Sequence, residues 1–174
     1  MTKTFVPGPM PVLQFAKVRN VKTPTRGTDK AAGIDFYIPE DLGTVLVVPA
    51  HSDILIPSGI VAKCPYHCML MGADKSGVVT SGRAKRMAGM NDKNSFCGCL
   101  IVGAKIVDED YQGEIHIHLI NTSDHEIVLT PGRKIAQFIA VPVIYPQLEE
   151  VPIDELFENN TDRGNGGFGH TGSY

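Results

Sequence analysis

The run Ile106-Val107-Asp108-Glu109-Asp110-Tyr111-Gln112-Gly113-Glu114 decides how the chain reads. Apolar residues lead into it, the acids Asp108, Glu109 and Asp110 and a tyrosine fill its middle, and Gly113 stands at its exit. Behind it Ile115, Ile117 and Leu119 alternate with His116 and His118, the period-2 pattern of a strand with one buried face. Ahead of it, Cys99 to Ile106 is an apolar run long enough for a strand. Asp108 to Gly113 is therefore expected to be a tight connection between two antiparallel strands. Asp and Gly supply turn geometry, so a solvated turn is the plain reading. An acid at the end of a buried strand, with an aromatic ring three residues on, also makes a rigid shelf: a flat apolar face beside a fixed base.

Outward from this run the chain keeps a strand-and-turn rhythm. Val12–Val18, Val45–Val48, Ile54–Ile56, Gly59–Lys63, Cys68–Gly72, Glu126–Leu129 and Ile135–Ile144 read as short strands, punctuated by Pro49, Pro57 and Pro65. Such spacing predicts an all-β sandwich or barrel. Residues 1–11, with Pro7, Pro9 and Pro11, are expected to be an extended lead, and the polar stretch Val21–Ala31 a loop. A helical pattern shows only around Ile153–Phe157, short enough for a single turn.

Composition sets the class. With 174 residues, 43% of them apolar and 20% charged, the chain is long enough for one globular domain with its own core. A net charge of −3 gives no global attraction to nucleic acid or to an anionic membrane, so neither is expected as a partner. No stretch of eighteen apolar residues suggests a membrane span, and no basic-then-apolar start suggests export, so a cytoplasmic protein is expected (host-cell cytoplasm if the source is viral). Free thiols are then the expected state of Cys64, Cys68, Cys97 and Cys99. Cys64 and Cys68 flank a plausible turn and could approach across a hairpin, but C-x3-C with C-x-C is a poor match to zinc pairs.

Three further stretches carry chemistry. In Ala32-Gly33-Ile34-Asp35-Phe36, Gly33 allows close backbone approach and Asp35 is a lone acid among apolar neighbours, which a turn-capping role would also explain. Residues 80–98 break the strand rhythm and set Arg83, Lys85, Arg86 and Lys93 against Asp92, reading as an insertion in a surface loop, with a lid or a docking site for a protein partner as the sharper alternatives. In the tail, Gly164, Gly166 and Gly169 satisfy G-x-G-x-x-G, but the five residues after them cannot supply the helix a dinucleotide site needs. A Gly-rich arm can still wrap phosphates with successive N–H groups. Arg163 can grip phosphate, Phe168 offers a stacking face and Thr171 adds a hydroxyl.

Five motifs, in order, resemble those of the homotrimeric dUTP diphosphatases (dUTPases): Ala32-Gly33-Ile34-Asp35; Lys75-Ser76-Gly77; the run from Ile106 to Glu114; Pro131-Gly132-Arg133-Lys134-Ile135-Ala136-Gln137; and Arg163 through Gly172. The resemblance implies a distorted jelly-roll-like β-barrel or sandwich over residues 1–158 and a mobile arm over residues 159–174 that closes over the active site. It implies Mg²⁺-dependent hydrolysis of dUTP to dUMP and pyrophosphate, which keeps uracil out of DNA and supplies dUMP for dTMP synthesis. By the same resemblance Asp108 activates the attacking water and Asp35 helps hold Mg²⁺, largely through water. Tyr111 packs under the deoxyribose, and the backbone near Ile106 and Val107 reads the uracil edge. Lys75, Ser76, Gly77 and Gln137 bind phosphate, and Arg163, Phe168, Gly169 and Thr171 close over the nucleotide. Three subunits then share each site. Lys75 stands where the family usually has Arg, keeping the charge and losing the planar fork. Two other readings remain: a dCTP deaminase-like enzyme, disfavoured by the Asp108–Tyr111 pattern, and a nucleotide-binding regulatory protein, supported by the basic insertion.

Overall fold

The computed structural model describes residues 11–78, 100–157, 159 and 161–166. The insertion expected at 80–98, and with it Cys97, lies outside them. Among the described residues the chain forms twelve short strands: β1 Gln14–Lys17, β2 Thr25–Arg26, β3 Ile34–Tyr37, β4 Leu46–Val48, β5 Asp53–Pro57, β6 Ile60–Lys63, β7 Cys68–Ala73, β8 Leu100–Val102, β9 Ile106–Val107, β10 His116–Asn121, β11 Ile127–Leu129 and β12 Lys134–Pro142. The expected all-β architecture is what the chain adopts. The sheets are β1-β6, β5-β10-β8, β11-β4 and β2-β3-β12-β7-β9. Every pairing among them is antiparallel, and most neighbours are distant in sequence, as in a jelly roll.

Alternation puts one face of each sheet inside. On β10, Ile117 and Leu119 are buried while His116 is exposed. They join Ile56, Ile60, Leu70, Leu129 and Ile135 in a single core. Phe36 on β3 and Phe138 on β12 pack with ring centroids 4.5 Å apart. The buried amide of Asn121 donates to the carbonyls of Val48, Pro49 and His125, tying the end of β10 to the β4 edge. The two N–H groups of the amide are shared among these three acceptors, so neither is left buried unpaired.

β12 is the spine of the five-stranded sheet, and its start is set by a tight turn. Pro131 and Gly132 occupy the corner, Gly132 has φ 76°, and the Arg133 N–H donates to the Thr130 carbonyl. Proline then glycine with positive φ is the signature of a type II turn.

Four expectations are corrected. The Val21–Ala31 loop contains β2, paired to β3 and clipped by a 2.7 Å hydrogen bond between Thr25 Oγ1 and the Tyr37 hydroxyl. The Cys99–Ile106 run is not one strand. It divides at Gly103 into β8 and β9, which belong to different sheets. At Gly103 a Cβ would sit 2.2 Å from His118 Nδ1, so a glycine is needed where the ring crosses the chain. Consequently Asp108–Gly113 does not join two paired strands: β9 pairs with β7, whereas β10 pairs with β5 and β8, and the connection crosses between sheets. Finally, Cys64 and Cys68 are near each other across the turn closed by the Cys68 N–H on the Pro65 carbonyl, but not as ladder partners of a hairpin, because β6 pairs with β1 and β7 with β12 and β9.

The chain divides into two compact units, Met1–Val143 and Ile144–Tyr174. The described part of the second has no strand. It holds a turn in which the Glu155 N–H donates to the Pro152 carbonyl and a second turn around Arg163. No described helix is long and apolar enough to cross a membrane.

Candidate active site

One cluster forms on the five-stranded sheet. Asp35 on β3 lies in register with Gln137 on β12, and Gln137 in turn with Ala73 on β7. Lys75 stands just past β7, and Lys134 opens β12 beside an irregularity in the register between Lys134 and Ala136. The two lysines converge on one carboxylate: Lys75 Nζ lies 2.8 Å from Asp35 Oδ1 and Lys134 Nζ 2.7 Å from Oδ2. Asp35 is only 3% exposed, so burial pushes its pKa up, but the two charged hydrogen bonds outweigh that and hold it below the usual carboxylate value. The same bond to Asp35 raises the pKa of Lys134.

Gly33 has a definite task here. A Cβ at that position would lie 2.0 Å from Gln137 Oε1. Its absence lets the Gln137 side chain lie across the strand and donate from Nε2 to the Asp74 carbonyl at 2.8 Å. The Asp74 carboxylate accepts the Val102 N–H, which anchors the segment carrying Lys75. Residues 76–78 then make a helical turn closed by the Val78 N–H on the Lys75 carbonyl, with Val78 buried and Ser76 and Gly77 exposed. Lys75, Ser76, Gly77, Gln137 and Asp35 thus share one neighbourhood.

Asp108 and Tyr111 form a second group. Asp108 is exposed just past β9, and its carbonyl accepts the Tyr111 N–H at 3.2 Å. The Tyr111 hydroxyl donates to the Glu114 carbonyl at 3.0 Å, and a Cβ at Gly113 would meet that hydroxyl at 2.4 Å. Gly113 therefore lets the ring fold back over the loop. Glu114 holds the loop's far end, accepting from Arg19 Nε at 2.8 Å and from the Gly59 N–H at 2.7 Å. That contact raises the Arg19 pKa. The half-exposed Tyr111 ring borders a cleft of about 520 Å³ whose other wall includes Phe15, Ala16 and Val61. Ile106 and Val107 form β9, the edge of its sheet order, where backbone groups are open to a further partner.

The two groups are apart within one chain. Val107 faces Leu70 and Ile106 faces Met71, so β9 runs away from Ala73, the end where Gln137 and Lys75 stand. The row of Asp108 lies beyond Leu70, roughly 13 Å along β7 from the row of Gln137.

In the second unit, Arg163 Nε donates to the Gly166 carbonyl at 3.1 Å, and the Gly166 N–H returns to the Arg163 carbonyl. Gly164 has φ 50°. Phe168, Gly169 and Thr171 lie outside the described residues. Among the residues in these groups with no role assigned from sequence are Asp74, Lys134, although it stands within the fourth motif, and Glu114, whose partners Arg19 and Gly59 are remote in the chain.

Known proteins resemble this chain in sequence and in fold. The dUTPase family model matches residues 19–172. The chain is 32% identical over 151 residues to the deoxyuridine 5'-triphosphate nucleotidohydrolase of Candida albicans, covering 87% of this chain and 81% of that one. In structure it resembles a Staphylococcus bacteriophage 80alpha dUTPase with dUpNHpp (TM-score 0.72, 21% identity, 92% of this chain and 98% of that one). It also resembles a phage phi11 dUTPase described for its coordination of a structural Mg(II) ion (TM-score 0.62, 19% identity, 80% and 96%). Matched by the family model over residues 19–172 and by a relative at 32% identity over most of both chains, the chain belongs to the dUTPase family.

Proposed function

We propose that the protein hydrolyses dUTP to dUMP and pyrophosphate. Family membership combined with the Asp35–Lys75–Gln137 cluster carries this reading: a buried carboxylate and two polar phosphate donors held together on one sheet. The Asp108 carboxylate takes a proton from a water. The water oxygen bonds to the α-phosphorus, and the bond from that phosphorus to the bridging oxygen breaks, so that pyrophosphate leaves. Lys75, the Ser76 hydroxyl, the Gly77 N–H and the Gln137 amide bind the phosphates. The cationic and N–H groups stabilise charge on the leaving group. Tyr111 supplies the flat face for the deoxyribose and crowds a 2′-hydroxyl, while the β9 edge at Ile106 and Val107 meets the base. Arg163, Phe168, Gly169 and Thr171 add contacts from the arm.

Mg²⁺ fits this donor set in a restricted way. Among the described residues no group of three or more His, Cys, Asp or Glu side chains could hold a metal, and both Asp35 oxygens already face ammonium groups. Of these residues Asp35 would help hold such an ion, largely through water, with the substrate's phosphates supplying the rest of its oxygens. Bound there, Mg²⁺ would neutralise phosphate charge.

The separation of Asp108 from the phosphate cluster supports a site built from more than one chain. A general base must come within hydrogen-bond reach of the proton it takes. A homotrimer with shared sites meets that requirement. The test is pyrophosphate release from each deoxynucleoside triphosphate in H₂¹⁸O. The proposal expects turnover of dUTP alone, with label in dUMP. Hydrolysis of all substrates alike, deamination of dCTP, or label in pyrophosphate would overturn it.

A further inference from the structure

Asp35 is nearly fully buried, and both of its oxygens carry a lysine: Lys75 on Oδ1 at 2.8 Å and Lys134 on Oδ2 at 2.7 Å. The lysines themselves reach solvent, their side chains being 28% and 39% exposed. The carboxylate is thus at the floor and the two ammonium groups form its cover. We infer that Lys75 and Lys134 are a latch: in the nucleotide-free protein they close Asp35 to divalent cations, and they release it only when the substrate's triphosphate draws their ammonium groups onto its own oxygens. The identity of that triphosphate rests on the proposed function above.

Three features carry this. First, the exchange needs no opening of the fold. Each lysine ends a long flexible stem rooted outside the buried row, Lys75 past the end of β7 and Lys134 at the first residue of β12. A compact ammonium moves between acceptors by rotamer changes alone, which a planar guanidinium held at two points does not. Second, Lys134 is flanked by an aromatic face along its path. While its Nζ sits on Asp35 it already lies 5.8 Å from the centroid of the Tyr37 ring, which Lys22 Nζ approaches at 6.0 Å, and Tyr37 is fixed by its hydroxyl bond to Thr25. Third, the exchange must be concerted. A buried carboxylate stripped of both lysines would be an unpaired buried charge, a strongly unfavourable state. A divalent ion approaching alone would meet two positive charges above the one negative charge it seeks. An ion already carried on a triphosphate meets two cations that have new anionic partners. Lys134 is accordingly a positioning and ordering residue for the reaction, acting on Asp35 and on phosphate.

The probe is Mn²⁺ titrated into the nucleotide-free full chain, read by paramagnetic broadening of the Ile34, Asp35 and Phe36 amide resonances and by the electron-spin signal of free Mn²⁺. In the unsubstituted protein these three amides should stay sharp at millimolar Mn²⁺. They should broaden once tripolyphosphate is added in equal amount to the metal. Lys75→Met and Lys134→Met each leave Asp35 one lysine, and each should tighten Mn²⁺ binding in the absence of phosphate by at least about 10-fold, within the usual range of coupling between sites. Adding Asp35→Asn to either should abolish that gain. Broadening in the unsubstituted, phosphate-free protein at the same Mn²⁺ concentrations as in the variants would overturn the inference. So would sharp amides after tripolyphosphate is added. The second of these outcomes needs no variant to fold. Turnover of dUTP by the same preparation is measured alongside; its absence would sink the enzymatic reading and leave the metal result to stand by itself.

Discussion

Asp35 and Asp108 belong to one five-stranded sheet and its exit loop, yet the strands carry them to opposite ends of β7: Asp35 to the row of Gln137 and Ala73, Asp108 to a row beyond Leu70. Under the proposed reaction, the residues assigned to phosphate and the residue assigned as base are thereby kept apart within one subunit. That division of labour has consequences for each aspartate and for the residues that hold them.

Asp108→Asn should reduce kcat by about 10²–10⁴-fold, the usual contribution of a general base. Asp108 is exposed and makes no described side-chain contact that the amide would break, so folding should not change. Equilibrium binding of the non-hydrolysable α,β-imido analogue of dUTP should stay within a few-fold of the unsubstituted protein. Unchanged turnover would remove Asp108 from the role of base.

Gly33→Ala should act on Gln137. The added methyl would lie 2.0 Å from Gln137 Oε1, so the side chain must leave the Asp74 carbonyl. A buried clash of this kind typically costs about 1–3 kcal/mol when the neighbour can give way. The expected result is weaker analogue binding and higher KM together with a modestly lower Tm. A Tm loss with nucleotide affinity intact would show that Gln137 does not bind phosphate.

Stability should carry the signature of Asp35 on the acid side. Its pKa in the folded protein lies below the unfolded value of about 3.9, because two lysines favour the charged form despite burial. A group with a depressed folded pKa contributes stability that is full above the unfolded pKa and is lost as pH falls through the folded pKa. Urea midpoints of the unsubstituted protein and of Asp35→Asn should therefore differ most at neutral pH and converge below about pH 4. Parallel curves across that window would mean that the ion pairs do not favour the folded state.

How much of this was legible in the sequence depends on the range of the contacts involved. β10 was readable because alternation of Ile117 and Leu119 with His116 and His118 is local. The turn at Pro131-Gly132 falls within a recognisable motif for the same kind of reason: two adjacent residues determine it. The switch of sheets after β8 was not readable. Gly103 breaks an unbroken-looking apolar run because the ring of His118, fifteen positions on, occupies the space a side chain would need. Asp35 stood out as a lone acid, but its partners come from Lys75, forty residues away, and from Lys134 on a different strand, and no periodicity links them. Glu114 closes the third motif, yet its work on Arg19 and Gly59 depends on the crossing connection that sequence could not reveal.

Ending the chain at Phe157 should leave folding and assembly largely intact, since among the described residues the buried core lies within residues 21–138. Loss of Arg163, Phe168, Gly169 and Thr171 should slow dUTP hydrolysis by at least about 10²-fold, the scale of removing one transition-state anion contact. Thermal melting and steady-state kinetics on one preparation check both halves. Hydrolysis at the intact rate would assign the arm no catalytic part.

The most direct test of the divided site is complementation. Asp35→Asn and Asp108→Asn chains, each inactive or nearly so alone, are co-expressed with different tags, and assemblies carrying both tags are purified from an equimolar mixture. If Asp35 and Asp108 of each site come from different subunits of a closed ring of three, every doubly tagged assembly should regain roughly a third of its sites. dUTP turnover should then far exceed that of either variant. If doubly tagged trimers remain as inactive as the separate variants, the two aspartates act within one chain, or one of them does not act at all, and the shared-site account is wrong.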